Sequence, residues 1–341
     1  MAVSMSSSVE AGRGTRPLNH VFLRLLDTCN LECAHCYASC GPRARDQLQL
    51  ETVLDLVAQL DQFQVRNVHL EGGEALIYRG FWQVLDALNQ VGIKPAITSN
   101  GLTTTRTILE RLQGRVAKLT FSVDGHTAEV HDQIRRRNGS FDRVLRAIKH
   151  SRELNIPTHM ISVVWRRVVG HVDELVGLAE QLDVQRLLLF SCGRIGAAVQ
   201  HWDELSCDLD EWTAYLRRVR QLAATRPWLW FEIDRLRRGD LDDYIGADYQ
   251  PICTRQPRDS ITIDPLGDVY PCGYFIPYKK HLGNIYQARL ANIVWRAQDG
   301  ERYSGACRSP WKVAGDGVVE LCKLYSVNRE TLPSPAAPPG A

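Results

Sequence analysis

Three cysteines, Cys29, Cys33 and Cys36, stand three and then two residues apart in the stretch LLDTCNLECAHC, just beyond a mostly apolar run over residues 21–26 that reads as a buried strand. Three thiolates on one short loop can converge on an iron–sulfur cube, and the missing fourth protein ligand leaves one iron open to a small molecule. Zinc is the competing chemistry. His35 lies between two of the cysteines and Cys40 follows them, so four thiolates, or three and an imidazole, could close a tetrahedral site.

Such a loop needs rigid elements around it, and the chain supplies an alternation. Strands are predicted over residues 68–70, 96–98, 119–123, 160–164 and 187–190. Between them, helical spacing runs through Leu50, Val53, Leu54, Val57 and Leu60, then over residues 81–88, 107–112, 141–154 and 172–182. Six strand–helix repeats imply an α/β fold on a parallel sheet, with the chemistry at the carboxyl ends of the strands. A further helix over residues 212–223 and a strand over 228–233 close this part. The pattern then changes near residue 235 to a hairpin candidate over 260–264 and 269–270, turning at Pro265, Leu266 and Gly267. Residues 1–18, rich in Ser, Gly and Arg, read as a disordered leader, and 326–341 as a proline-rich disordered tail.

The totals narrow the class. A chain of 341 residues can bury a barrel-sized core, and a net charge of +2 makes no electrostatic case for nucleic acid. No unbroken apolar run is long enough to cross a bilayer and the start lacks a secretory segment, so the expectation is a cytoplasmic protein without a membrane partner. Ten cysteines in that setting point to metal or redox chemistry before disulfides.

Polar groups end successive strands. Glu71-Gly72-Gly73-Glu74 ends the second, where glycines permit close backbone approach and the Glu74 carboxylate can accept from an amine. Thr98-Ser99-Asn100-Gly101 ends the third and Ser122-Val123-Asp124-Gly125 the fourth; each is also an ordinary turn sequence. The segment HDQIR, residues 131–135, precedes Gly139-Ser140-Phe141-Asp142, with Ser140 placed as an N-cap.

Together these residues resemble the radical S-adenosylmethionine (radical SAM) superfamily. CNLECAHC matches its C-x3-C-x2-C signature, with the aromatic His35 before the last cysteine, and GGE resembles its GGEP motif with Ala75 in place of proline. TSNG and SVDG resemble its TNG and S-x-D-G segments, and HDQIR with GSFD resembles the subgroup that carries a C-terminal SPASM or Twitch domain. The resemblance implies a partial (β/α)6 TIM-type barrel over residues 19–235 and a small Twitch-like domain over 236–325. It also implies a [4Fe-4S] cluster on Cys29, Cys33 and Cys36, and SAM bound at its open iron. Gly72, Gly73, Glu74, Ser99, Asn100, Ser122, Asp124 and Arg135 would hold that SAM, Arg135 pairing with its carboxylate unless Arg136 or Arg137 does so. A flavodoxin- or ferredoxin-type protein would donate the electron that cleaves SAM, and the resulting 5′-deoxyadenosyl radical would take a hydrogen atom from substrate.

Cys253, Gly267 and Cys272 form C-x13-G-x4-C across the hairpin, as SPASM and Twitch domains do before an auxiliary cluster. With Cys307 and Cys322 they would hold a second [4Fe-4S] cube; buried free thiols or zinc are the alternative. Cys40 and Cys207 read as core. Cys192 and Arg194, just past the sixth strand, are candidates for hydrogen-atom delivery and for a substrate acid group, with a core role the alternative for Cys192; Glu232 and Asp234 are candidates for substrate hydroxyls or amines.

Only 28 residues precede Cys29, leaving no room for the leader-binding domain common in peptide maturases. The expectation is therefore a sugar-like or nucleoside small molecule in antibiotic biosynthesis, processed by a lyase or oxidoreductase. The stretch LLDTCNLECAHCYASCGP is similar to cytosylglucuronate decarboxylases of blasticidin-type pathways, with butirosin-type dehydrogenases next to them. Peptide maturation is the alternative, and a non-catalytic iron–sulfur or zinc protein the alternative of another class.

Overall fold

The computed structural model describes residues 18–63, 65–240, 260–273, 276, 281–299, 311–313 and 318–321. Cys253, Cys307 and Cys322 lie outside the described residues, as do the expected tail and all of the expected leader but Leu18.

Parallel strands β1 (His20–Arg24), β2 (Asn67–Glu71), β3 (Ala96–Ser99), β4 (Lys118–Ser122), β5 (Thr158–Val164), β6 (Arg186–Ser191) and β7 (Leu229–Phe231) follow one another in sequence order across one sheet. Helices α1 (Leu50–Leu60), α2 (Phe81–Gln90), α3 (Arg106–Leu112), α4 (Ala128–Arg135), α5 (Ser140–Glu153), α6 (Arg166–Val169), α7 (Val172–Gln181), α8 (Trp202–Leu205) and α9 (Leu209–Ala223) connect them. This is the predicted partial barrel. Each helix is held by one apolar stripe: in α1, Val53, Leu56, Val57 and Leu60 fall at helical spacing and are all buried.

Strand alternation sorts the side chains. Leu23, Leu70, Ile97, Phe121, Met160 and Leu187 are fully buried toward the helices, each worth about 1.5–3 kcal/mol. The alternate set lies on the other face. There the register carries one row from Thr98 through Thr120 and His159 to Arg186, and the next from Ser122 through Ile161 and Leu188 to Trp230. The inner face is thus polar along one diagonal and apolar along the next.

The two-turn helix α4 had no counterpart in the sequence prediction, because its short, mostly polar stretch buries only Val130, His131, Ile134 and Arg135. It ends with Arg136 in the left-handed region at φ 55°. Asp132 then reaches back to cap α5, accepting from Gly139 N at 2.6 Å, Ser140 Oγ at 2.7 Å and Phe141 N at 2.8 Å. Asp132 therefore takes the capping part expected of Ser140.

After β7 the chain leaves the barrel. Strand β8 (Arg235–Arg237) pairs antiparallel with β13 (Val318–Leu321), which pairs with β12 (Trp311–Val313). The predicted hairpin forms as β9 (Ser260–Ile263) and β10 (Asp268–Tyr270), but β9 runs parallel beside β1, so the hairpin and β11 (Gly283–Asn284) extend the large sheet. Helix α10 (Leu290–Asp299) docks on α1, where buried Gln59 accepts from Leu290 N at 2.9 Å.

Candidate active site

The loop between β1 and α1 brings Cys29, Cys33, Cys36 and Cys40 into one small packed group with Leu31, Ala38 and Leu102. The first three sulfurs each receive an N–H donor: Asn100 Nδ2 lies 3.7 Å from Cys29 Sγ, Arg135 Nη1 3.6 Å from Cys33 Sγ, and Cys40 N 3.3 Å from Cys36 Sγ. Donors aimed at sulfur suit thiolates that ligate a cluster. Cys40 differs, being tied to Arg24 and Asp27 at 3.6 Å each. Among the described residues, no three His, Cys, Asp or Glu groups close tightly enough to hold a single metal ion.

Burial pushes the Cys29 thiol up to about 12 and that of Cys33 to about 11, with Arg135 opposing it at Cys33. The hydrogen bonding of Cys40 holds Cys36 down at about 6. Cluster iron would hold all three as thiolates.

The glycines of the second strand end press backbone against backbone. Gly73 N donates to Leu26 O at 2.6 Å and Glu74 N to Thr28 O at 3.1 Å. A Cβ on Gly73 would overlap the Thr28 carbonyl, and one on Gly72 the Leu26 carbonyl. Gly72 and Gly73 thus seat the cysteine loop itself. The chain crosses it again after β6, where Gly196, at φ +58°, leaves no room for a Cβ beside the Cys36 and Tyr37 carbonyls.

Glu74 is buried and accepts from Asn100 N at 2.8 Å, which fixes the third strand end against the second. Burial raises its carboxyl, and the Asn100, Ser99 and Leu76 hydrogen bonds oppose that. Asn100 Nδ2 also donates to Asn30 Oδ1 at 2.7 Å, while Ser99 Oγ turns to Thr104 Oγ1 at 3.0 Å and accepts from Gly101 N. Ser122 ends β4, two residues before the buried Asp124.

Asp124 is the hub. Its Oδ1 accepts from Val163 N at 2.8 Å, and its Oδ2 faces Arg135 Nη2 at 2.5 Å and His35 Nε2 at 3.3 Å. Its N–H donates to His131 Nδ1 at 3.0 Å. Burial alone would raise this carboxyl, but Arg135, His35 and His131 hold it below the usual range; burial lowers both imidazoles to about 4. Arg135 Nε and His35 Nδ1 are buried without a hydrogen-bond partner. The spare Arg135 donor and the open His35 ring nitrogen beside three thiols, together with the neighbouring carboxylates, fit a molecule with both a carboxylate and an amine, as SAM has. Arg135, on the buried side of α4, is thus set at the thiols, whereas Arg136 pairs with His201 on the surface.

Other expected positions fall elsewhere. Cys192 belongs to the main core, its N–H bonded to Val164 O, and it borders a small cavity with Trp202, Cys207, Trp212 and Arg235. Arg194 is exposed, with its guanidinium 6.0 Å from the Trp202 ring. Glu232 Oε2 accepts from Ser191 N at 3.3 Å, and Asp234 is buried beside Arg235 at 3.8 Å. Cys272 is half-buried after β10. Sequence reading missed Arg24, fully buried at the end of β1 against Asp27 and Cys40; an arginine closing an otherwise apolar strand was the available signal.

Comparison with known proteins agrees with this geometry. Residues 23–179 match the radical SAM superfamily and residues 253–324 the iron–sulfur cluster-binding SPASM domain. The chain is 29% identical over 306 residues to mycofactocin maturase MftC of Mycolicibacterium smegmatis, covering 86% of this chain and 74% of that protein. It is 30% identical over 278 residues to MftC of Mycobacterium tuberculosis, covering 79% and 68%. The fold is similar to that of Streptococcus suis SuiB bound to precursor peptide SuiA, with a TM-score of 0.68, 17% identity and coverage of 85% of this chain and 66% of that one. No helix among the described residues is long and apolar enough to cross a membrane.

Proposed function

We propose that this chain, which belongs to the radical SAM superfamily and carries a SPASM iron–sulfur domain, is a maturase that modifies a peptide. The observation that carries the reading is its likeness, along most of its length, to proteins named as maturases, beside a fold similar to that of SuiB bound to a precursor peptide. The likeness favours this reading over the sugar-like substrate expected from the sequence; the decarboxylase resemblance rested on the cysteine loop, the chain length and the reduced C-terminal cysteine set.

Bound there, the cluster and SAM would supply radical chemistry that removes a hydrogen atom from the substrate. The protein's part is positional. Cys29, Cys33 and Cys36 would hold the cluster, with Asn100 and Arg135 directed at their sulfurs. Glu74, Asp124 and Arg135 would hold SAM, their hydrogen bonds to neighbouring strand ends keeping the rim rigid. Below the rim, Ile161, Leu188 and Phe190, with Trp230 at the last strand, offer an apolar bed to a peptide side chain. Auxiliary iron–sulfur chemistry falls to the SPASM region, with Cys253, Cys272, Cys307 and Cys322 as its cysteines, and a flavodoxin- or ferredoxin-type donor would deliver the electron.

The test is anaerobic incubation of reconstituted, reduced protein with SAM and the short peptides encoded beside its gene. A peptide mass change accompanied by 5′-deoxyadenosine is the expected result. If a uronic-acid nucleoside stimulates turnover and no peptide does, the maturase reading fails.

A further inference from the structure

The lower part of the barrel holds two cations and an imidazole with no counter-charge. Lys118 opens β4, Arg186 opens β6, and His159 lies on β5 between them, opposite Thr120 on one side and Arg186 on the other. No described side chain makes an ion pair or hydrogen bond with any of the three, whereas Arg115, Arg167, Arg218 and Arg226 on the surface each meet a carboxylate. Lys118 and His159 are half-buried, and His159 Nδ1 is buried without a partner. Burial lowers the basicity of both, and the remaining effects come from Arg186 on each and from Lys118 on His159, with no carboxylate contributing.

We propose that Lys118, His159 and Arg186 form a carboxylate-binding site at the base of the barrel that anchors an acidic group of the substrate. Three donors side by side on neighbouring strands, without an internal acceptor, suit an oxyanion supplied from outside. Its distance from the chemistry sets what it can read. Asp124 stands six residues beyond Lys118, just past the end of β4, and Val163 four residues beyond His159 along β5, which is about 13–20 Å at the rise of a strand. An extended peptide spans that in about four to six residues. The site would therefore select an acidic side chain, or a terminal carboxylate, about four to six residues from the modified one. This deepens the maturase reading and rests on it.

The probes are succinate and inorganic phosphate, added separately to oxidised, cluster-loaded protein labelled at its histidine rings, with the His159 resonance assigned through His159→Gln. Succinate is expected to move that resonance saturably, and Lys118→Met or Arg186→Met to weaken its binding about tenfold, the worth of one charge-assisted contact. A response to phosphate alone, or to neither anion, overturns the inference; the wild-type titration decides this even if a variant does not fold. No peptide is used, so a negative result leaves the maturase reading standing. Conversely, an intact succinate response with no peptide turned over would condemn that reading alone.

Discussion

Arg135 Nη2 lies 2.5 Å from Asp124 Oδ2 while its Nη1 lies 3.6 Å from the sulfur of Cys33, so one guanidinium joins the end of β4 to the cysteine loop. Residues from three separate elements share that charge, and both members of the ion pair are buried.

Asp124→Asn should therefore destabilise the protein by about 3–5 kcal/mol, because Arg135 keeps its charge with no anion beside it. Urea unfolding of wild type and variant measures this. A difference below about 1 kcal/mol, the range of exposed pairs, would mean that the pair is not a buried structural one.

Replacing Cys29, Cys33 or Cys36 by Ser should remove about four irons per chain and abolish SAM cleavage, whereas Cys40→Ser should retain the iron. Iron and sulfide analysis after anaerobic reconstitution reads both. Full iron in the Cys33 variant would show that the ligand set is wrong.

Gly73→Ala places a methyl group on the Thr28 carbonyl, and Gly196→Ala does so at Cys36 and Tyr37. Each should cost about 1–3 kcal/mol and lower cluster occupancy, since the loop must move to admit the new atom. Equal iron content and equal thermal midpoints for Gly73→Ala and wild type would contradict the packing described above.

Asp132 caps α5, and Asp132→Ala should cost about 1–2 kcal/mol at neutral pH. Slight burial would raise this carboxyl, but its bonds from Ser140, Phe141 and Gly139 hold it below the ordinary value. Its stabilising contribution is thus complete above the unfolded value of about 3.9 and disappears as pH falls through the lower folded one. Unfolding free energies of wild type and variant should converge in acid; a gap that widens there would reverse the sign of this argument.

Much of this was legible in the chain itself. The cysteine spacing, the strand–helix alternation and the polar strand ends are local properties, and they sufficed for the partial barrel and for singling out Glu74, Asn100, Asp124 and Arg135, which the fold gathers beside the three cysteines. Three-dimensional contact decided the rest. That Gly72 and Gly73 seat a loop more than forty residues earlier, and that Cys192 faces the core, depends on which backbones meet and how the chain turns after β6. The row from Thr98 to Arg186 exists only through strand register, which aligns residues nearly ninety positions apart. A sequence states which groups are present and how they are spaced along one strand. Only pairing between strands places their charges side by side.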